Sequence, residues 1–211
     1  MTTANLYYGR SEFAKGIILG LISAIFIIII SVSLKTDIGF FGLLLEHKII
    51  ILFTLPAILT VWVYSVYKLA HQWLTALQLG KFIAVGQSNA SIDMGITNLF
   101  IIITNIDSGA YYILFKCISF ICALLHSFVW NKFWSFECSD RTKVARQFVM
   151  FVVVAVIALI VNVVTAHIIV NIIGPQWGLS SRIWASVGVL SSAIFSIIWD
   201  FYGFKVLVFK K

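Results

Sequence analysis

The sequence predicts an all-α integral membrane protein with six transmembrane helices and both termini in the cytoplasm. Three observations carry that expectation. Hydrophobic residues make up 61% of the 211-residue chain and charged residues only 11%, too few charges to cover a soluble surface. Mean hydropathy is +1.04. The apolar residues fall into six runs, each close to the ~20 residues that cross a hydrocarbon core as a helix.

In chain order the runs are 16–34, 49–67, 82–104, 111–130, 148–170 and 183–202. Charge, Gly or Pro marks every break between them. Each run must be helical, because in lipid a segment has to satisfy its own backbone polar groups. A β-barrel needs alternating strands, and the unbroken apolar stretch 24–30 excludes it. Arg10 and Lys15 precede the first run, and Ser31-Val32-Ser33 offers the small residues of a signal-peptidase site. The length of the run favours an uncleaved first helix.

Lys and Arg set the orientation. With the N-terminus inside, eleven of the 15 fall on the inner side, and only Lys35, Lys48, Lys116 and Arg182 lie outside. The net charge of +7 thus reflects helix orientation and anionic headgroups, not a nucleic-acid partner. The connections are too short for a soluble catalytic domain. No GxSxG, P-loop, HExxH, dinucleotide fingerprint or tight Asp cluster occurs, so neither an enzyme nor a cofactor is expected. Cys117, Cys122 and Cys138 show no ligand spacing, and no metal or disulfide is expected.

Residues 69–79 differ from the runs around them. Leu69, Trp73 and Leu77 have helical spacing, with His71, Gln72 and Gln78 between. The stretch reads as an interfacial helix, as an extension of the third span, or as a helical linker. It divides the chain into a two-helix N-terminal unit, 1–80, and a four-helix unit, 81–211. The second unit contains an internal match. Residues 127–136 align without a gap on 200–209, setting Phe128 on Phe201, Lys132 on Lys205 and Phe136 on Phe209. Lys81-Phe82 and Gln147-Phe148 open the two halves. Two parallel two-helix repeats, 81–146 and 147–211, are expected, related by an axis near the membrane normal.

Polar residues inside the spans are the candidate site. A charge at bilayer depth costs ~2.5–3.5 kcal/mol on the insertion scale. Asp93 lies ~18 Å along a helix from Lys81. Gly86, Asn89, Ala90, Asp93 and Thr97 share one helix face, flanked by Gln87 and Ser91. That face is a headgroup or proton site, or a packing seam of small residues. In the fourth span Ser119, Cys122 and His126 share a face that ends at Asn131 and Lys132. His126 is a proton carrier or a structural histidine. Asn162 reads as an interhelical hydrogen bonder, and Asp200 as a site residue or the partner of a nearby Lys. Lys132, Lys205, Lys81 and Arg146 fall at similar depth. They form a cation ring suited to a phosphate, or they are ordinary snorkelling anchors.

These residues carry a family resemblance. Lys81-Phe-Ile-Ala-Val-Gly86, followed by Asn89 and Asp93, resembles the opening of GtrA-like membrane proteins. The block from Ser127 to Phe136 is similar to their Asn-Arg/Lys-aromatic signature. The tail from Asp200 to Phe209 looks like the second copy, with Asp200 where an Asn usually stands. The resemblance covers 81–211 and extends to the membrane domain of dolichol-phosphate mannose synthases. It implies translocation of a polyprenyl-phosphate-linked monosaccharide across the cytoplasmic membrane, for glycosylation of cell-envelope polysaccharides. On that reading Lys132, Lys205, Lys81 and Arg146 hold the lipid phosphate. Gln87, Asn89, Asp93, His126, Asn131 and Asp200 line a polar cavity for the sugar. The alternative is a non-transporting adaptor that anchors a membrane glycosyltransferase through the basic loop 132–146. A third, weaker reading is a small proton-coupled transporter of amphipathic cations, which the scarcity of deep carboxylates disfavours. A homo-oligomer stays open, since 211 residues are few to enclose a pathway.

Overall fold

The computed structural model describes residues 3–35, 39–70, 72–178 and 180–210, with side chains from residue 11 onward except that of Arg182. Among the described residues all regular structure is helical: α1 (Thr3–Leu34), α2 (Gly39–Glu46), α3 (Lys48–Ala70), α4 (Leu74–Thr104), α5 (Gly109–Trp130), α6 (Val144–His167) and α7 (Ser181–Gly203). Five helical segments are long and apolar enough to cross a membrane: Ser11–Leu34, Lys48–Ala70, Gly109–Ser135, Val144–Ile173 and Ile183–Val208. The third expected span lies in α4. With 31 residues, about 46 Å of helix, it has ample length. Its middle carries Gln87, Asn89, Asp93 and Asn98, which dilute its apolar character.

The chain forms two compact units, 1–137 and 138–211. In the first, the N-terminal helices do not stand apart: α1 packs along both α3 and α4. The α1–α3 crossing is built on small residues. A Cβ on Gly20 would run into the Pro56 backbone, and one on Gly16 would come 2.8 Å from the Thr60 Cα. Close approach of this kind is how helices gain packing in lipid, where apolar attraction between them is weak. Leu19, Leu59, Val63, Ala84, Val85 and Trp134 make the buried core of this unit, with Trp130 against it. Of the alternatives for 69–79, the structure forms the extension. α3 ends at Ala70 and α4 begins at Leu74, while His71 lies outside the described residues. Trp62 Nε1 donates to the Gly80 carbonyl at 3.0 Å, fixing α4 against α3 just past the break.

In the second unit α6 and α7 run antiparallel. Trp199 Nε1 donates to the Val154 carbonyl (3.2 Å) and Ser196 Oγ to the Ala158 carbonyl (3.1 Å). Further along, Trp184 Nε1 reaches the Ile169 carbonyl (2.8 Å). Phe151 and Phe204 stack at 4.1 Å, and Phe209 closes on both rings.

Three helices end in a π turn: Asn131–Ser135 after α5, Ile168–Ile173 after α6 and Phe204–Val208 after α7. The Phe136 amide donates to the Asn131 carbonyl (2.9 Å), and the Phe209 amide to the Phe204 carbonyl (2.8 Å). The offset that aligns Lys132 with Lys205 lays these two turns on each other. Wider turns of this kind cluster at functional positions.

Candidate functional site

Lys81 is a buried charge of the first unit that pairs with two carboxylates. Its side chain is 2% exposed, and its Nζ lies 3.3 Å from Glu12 Oε2 and 3.0 Å from Glu137 Oε1. Glu12 is 1% exposed. It also accepts from Trp134 Nε1 at 2.8 Å and from Lys15 Nζ at 3.0 Å. A buried ion costs several kcal/mol unless it is paired and hydrogen-bonded, and this cluster meets that condition for both Lys81 and Glu12. The Trp134 ring adds its π face 5.8 Å from Lys81 Nζ and 6.0 Å from Lys15 Nζ. Glu137 is different: its side chain is 42% exposed, and its φ is 51°. For a non-glycine residue that left-handed backbone costs ~1–2 kcal/mol. Sequence reasoning placed Lys81 here but missed Glu12, Trp134 and Glu137. The signal lay in α1, where Glu12, Gly16, Leu19, Ser23 and Ser31 fall on one helical stripe.

A second polar layer joins α4 to α5. Asp93 Oδ2 pairs with Lys116 Nζ at 2.5 Å. Ser119 Oγ donates to Asp93 Oδ1 (2.7 Å), and Thr97 Oγ1 donates to Ser119 Oγ (2.8 Å). Asp93 therefore has a counter-ion and a hydrogen-bond donor on the neighbouring helix. Gln87, at the edge of the expected polar face, turns toward α1, where Ser23 Oγ donates to its Oε1 at 3.0 Å. The rest of that face is open within the unit: Gly86 and Ala90 are exposed, and a Cβ at Gly86 would meet nothing.

Thr60 Oγ1, Gln78 Oε1 and Ser88 Oγ are buried without a hydrogen-bond partner among the described residues. The third feature is the group of such atoms shared by α4, α5 and the π turn that follows α5: Asn89 Oδ1, both ring nitrogens of His126, Asn131 Oδ1 and Ser135 Oγ. The Thr97–Ser119 contact sets their register. About two turns back along α4 and two turns on along α5, Asn89 and His126 come to one level. Asn131 Nδ2 is engaged by Ser127 Oγ (3.1 Å), which leaves its carbonyl oxygen as the unused acceptor.

The remaining expected residues divide between the two units. Lys132 is fully buried in the first π turn, with Nζ 5.6 Å from the Phe133 ring centroid. In the second unit Lys205 is half-buried, 5.8 Å from the Phe201 ring centroid. Arg146 is exposed in the first turns of α6. Asp200 makes no ion pair among the described residues, and its buried Oδ1 has no hydrogen-bond partner. Among the described residues no group of three His, Cys, Asp or Glu is placed to hold a metal, and the three cysteines are free thiols.

Comparison with known proteins agrees with this layout. The family model described as GtrA/DPMS, transmembrane domain, matches residues 81–209. No curated protein matches, and no solved structure does. The match begins at Lys81, ends at Phe209 and takes in both Lys-bearing π turns. With more than half of its length matched, this multi-pass membrane chain belongs to the GtrA/DPMS transmembrane-domain family.

Proposed function

We propose that this protein moves a polyprenyl-phosphate-linked monosaccharide between the leaflets of the cytoplasmic membrane, supplying sugar for cell-envelope polysaccharides. Its family points to a membrane role in lipid-linked sugar handling. The finer reading takes six spans, with α4 as the polar one, both termini inside, and the last four as two parallel repeats. The matched π turns at 131–135 and 204–208 support the duplication.

One observation carries the transport reading: the unpartnered set at Asn89, His126, Asn131 and Ser135. A buried polar group left unsatisfied costs ~1–3 kcal/mol. In a span, bulk water is not there to relieve it. The set is rich in acceptors, Oδ1 of two asparagines and a ring nitrogen, and sugar hydroxyls are donors that fit them. The Asp93–Lys116–Ser119 layer supplies more groups of both kinds. The polyprenyl chain stays in lipid against the apolar outer faces. No nucleotide site is in play, so transport follows the gradient of the lipid-linked sugar or of protons.

The test is a proteoliposome assay that scores how much polyprenyl-phosphate sugar becomes accessible from the opposite leaflet. Wild type is expected to exceed empty vesicles, with Asn89→Ala and Asp93→Asn slower. Crossing no faster than in empty liposomes, with folded protein, removes the transport reading.

A second reading is supported by Arg141, Lys143 and Arg146, all exposed on the stretch that leads into α6. Such a cluster suits a docking site for a membrane glycosyltransferase, with this chain as its anchor. Lys132 lies at the other end of that loop and is buried, so it does not take part. Charge reversal of the three exposed residues should abolish co-purification with the transferase. Retained co-purification removes the adaptor reading.

A further inference from the structure

We propose that Glu137 is a resident anion that covers Lys81 and must leave before a phosphate headgroup binds there. The proposal rests on the reading of Lys81 as a lipid-phosphate ligand, and it adds how that site is kept closed.

The two carboxylates on Lys81 are not equivalent. Glu12 is buried and has three partners on three elements: Lys15 on its own helix, Lys81 on α4 and Trp134 on the π turn. Removing it would strand an ammonium inside the protein, so it is the permanent counter-ion. Glu137 reaches Lys81 from the end of the π turn, with nearly half of its side chain in the open. Its backbone sits in the left-handed region, a conformation that persists only where the surroundings impose it. Half-exposed, Glu137 can exchange Lys81 for water, which the buried Glu12 cannot.

Charge supports the same division. The side chains of Lys15, Lys81, Glu12 and Glu137 carry two charges of each sign. Departure of Glu137 takes one negative charge from beside the Lys81 ammonium. That is the condition for accepting one anionic group of carboxylate or phosphate type. Glu12 lies outside the residues that the family model matches, and Glu137 lies inside them. The extension therefore tunes a cation of the family domain, and the domain's own π turn supplies the cover.

The cover reduces apparent affinity in proportion to the fraction of time the site is open. The experiment titrates the full-length protein, in phosphatidylcholine nanodiscs, with polyprenyl monophosphate and, in a parallel arm, with inorganic phosphate. Glu137→Gln, which keeps the shape and removes the charge, should bind about three- to tenfold more tightly than wild type. Glu137→Asp keeps the charge on a shorter arm and should recover part of that gain, because direct contact with Lys81 is what blocks the site. A gain for polyprenyl phosphate alone assigns the site to the lipid headgroup. A gain in both arms assigns it to the phosphate group itself. No gain in either arm overturns the cover, and so does a gain with Glu137→Gln but none with Glu137→Asp, which would be a field effect. Lys81→Gln should abolish binding. Since it leaves Glu12 with fewer partners, the paired Glu12→Gln/Lys81→Gln variant serves if the single one does not fold. Binding lost on neutralising Lys81 but unchanged by Glu137→Gln leaves the phosphate reading standing without the cover. Binding retained without the Lys81 charge removes both.

Discussion

The α4–α5 pair and the α6–α7 pair each end in a Lys-bearing π turn and each have a stacked phenylalanine pair, Phe100 on Phe115 and Phe151 on Phe204, but their polar contacts differ in chemistry. α4 and α5 meet through ions and side-chain hydrogen bonds: Asp93 with Lys116, Ser119 with Asp93, Thr97 with Ser119. α6 and α7 meet through side chains donating to backbone carbonyls, from Trp184, Ser196 and Trp199, and through stacked phenylalanines. The first repeat also has a companion. α1 reaches it with Glu12 and Ser23. The helix pair joined by side-chain ions is also the one to which a further helix, α1, supplies counter-charge.

The largest expected effect tests that dependence. Glu12→Ala leaves Lys81 without its buried counter-ion and Trp134 Nε1 without its acceptor. Loss of one partner of a buried pair costs ~3–5 kcal/mol, and thermal unfolding in detergent should show it as a large fall in Tm or as loss of folded protein. Asp200→Asn in the second repeat breaks no ion pair among the described residues and should leave Tm nearly unchanged. Equal effects of the two variants would sink the asymmetry.

Much of this was legible in the sequence, and what was not has a common cause. Apolar runs give five of the six expected spans as long apolar helices among the described residues, because length and composition act locally. The Lys132–Lys205 alignment located both turn ends for the same reason, since a gapless match preserves register. The turns themselves were invisible as π structure, because a π turn is stabilised by what packs around it, here Phe82 against Phe136 and Phe151 against Phe204 and Phe209. Glu12 carries no expectation from the sequence alone. Its long-range partners, Lys81 and Trp134, are set by how α1 crosses α4, which no single helix encodes. Asp93 stands out in the sequence as a charge that needs a partner or a purpose, and the structure pairs it with Lys116 on α5. The unpartnered atoms of His126 and Asn131 could not be foreseen at all, since being unpartnered is a property of the packed state.

The next effect separates transport from stability within the first repeat. Asn89→Ala combined with His126→Ala removes groups whose buried atoms the protein leaves unused. Folding should therefore be unharmed, or improved by up to ~1–3 kcal/mol. Translocation should fall about thirtyfold, if two hydrogen bonds of ~1 kcal/mol each to the sugar are lost. Unfolding and the proteoliposome assay, run on the same preparation, check both signs. A fall in stability equal to the fall in transport would mean that these residues are structural.

A smaller effect belongs to the α4–α5 layer. Asp93→Asn keeps an acceptor for Ser119 but leaves Lys116 without its counter-ion, and Lys116→Met removes the charge from the other side. Because both side chains are partly exposed, at 26% and 45%, each single change should cost little in Tm. Residues in direct contact typically couple by ~0.5–3 kcal/mol, and the double variant should recover part of the loss. Additive losses would show that the pair does not act as a unit.

The smallest effect tests the second repeat by its own chemistry. Trp199→Phe keeps the aromatic surface on α7 and deletes only the indole donor to the Val154 carbonyl. A helix carbonyl already accepts from its own ladder, so what is lost is an extra bond and no orphaned group remains. Loss of one hydrogen bond of that kind is worth ~0.5–1.5 kcal/mol, a modest drop in Tm. Transport should stay at the wild-type rate, because the proposed sugar contacts lie in the first repeat. If transport fell sharply with so small a change in stability, the second repeat would be a working half of the pathway. Asp200, with its own unpartnered oxygen, would then be the residue to test there, as Asn89 is in the first.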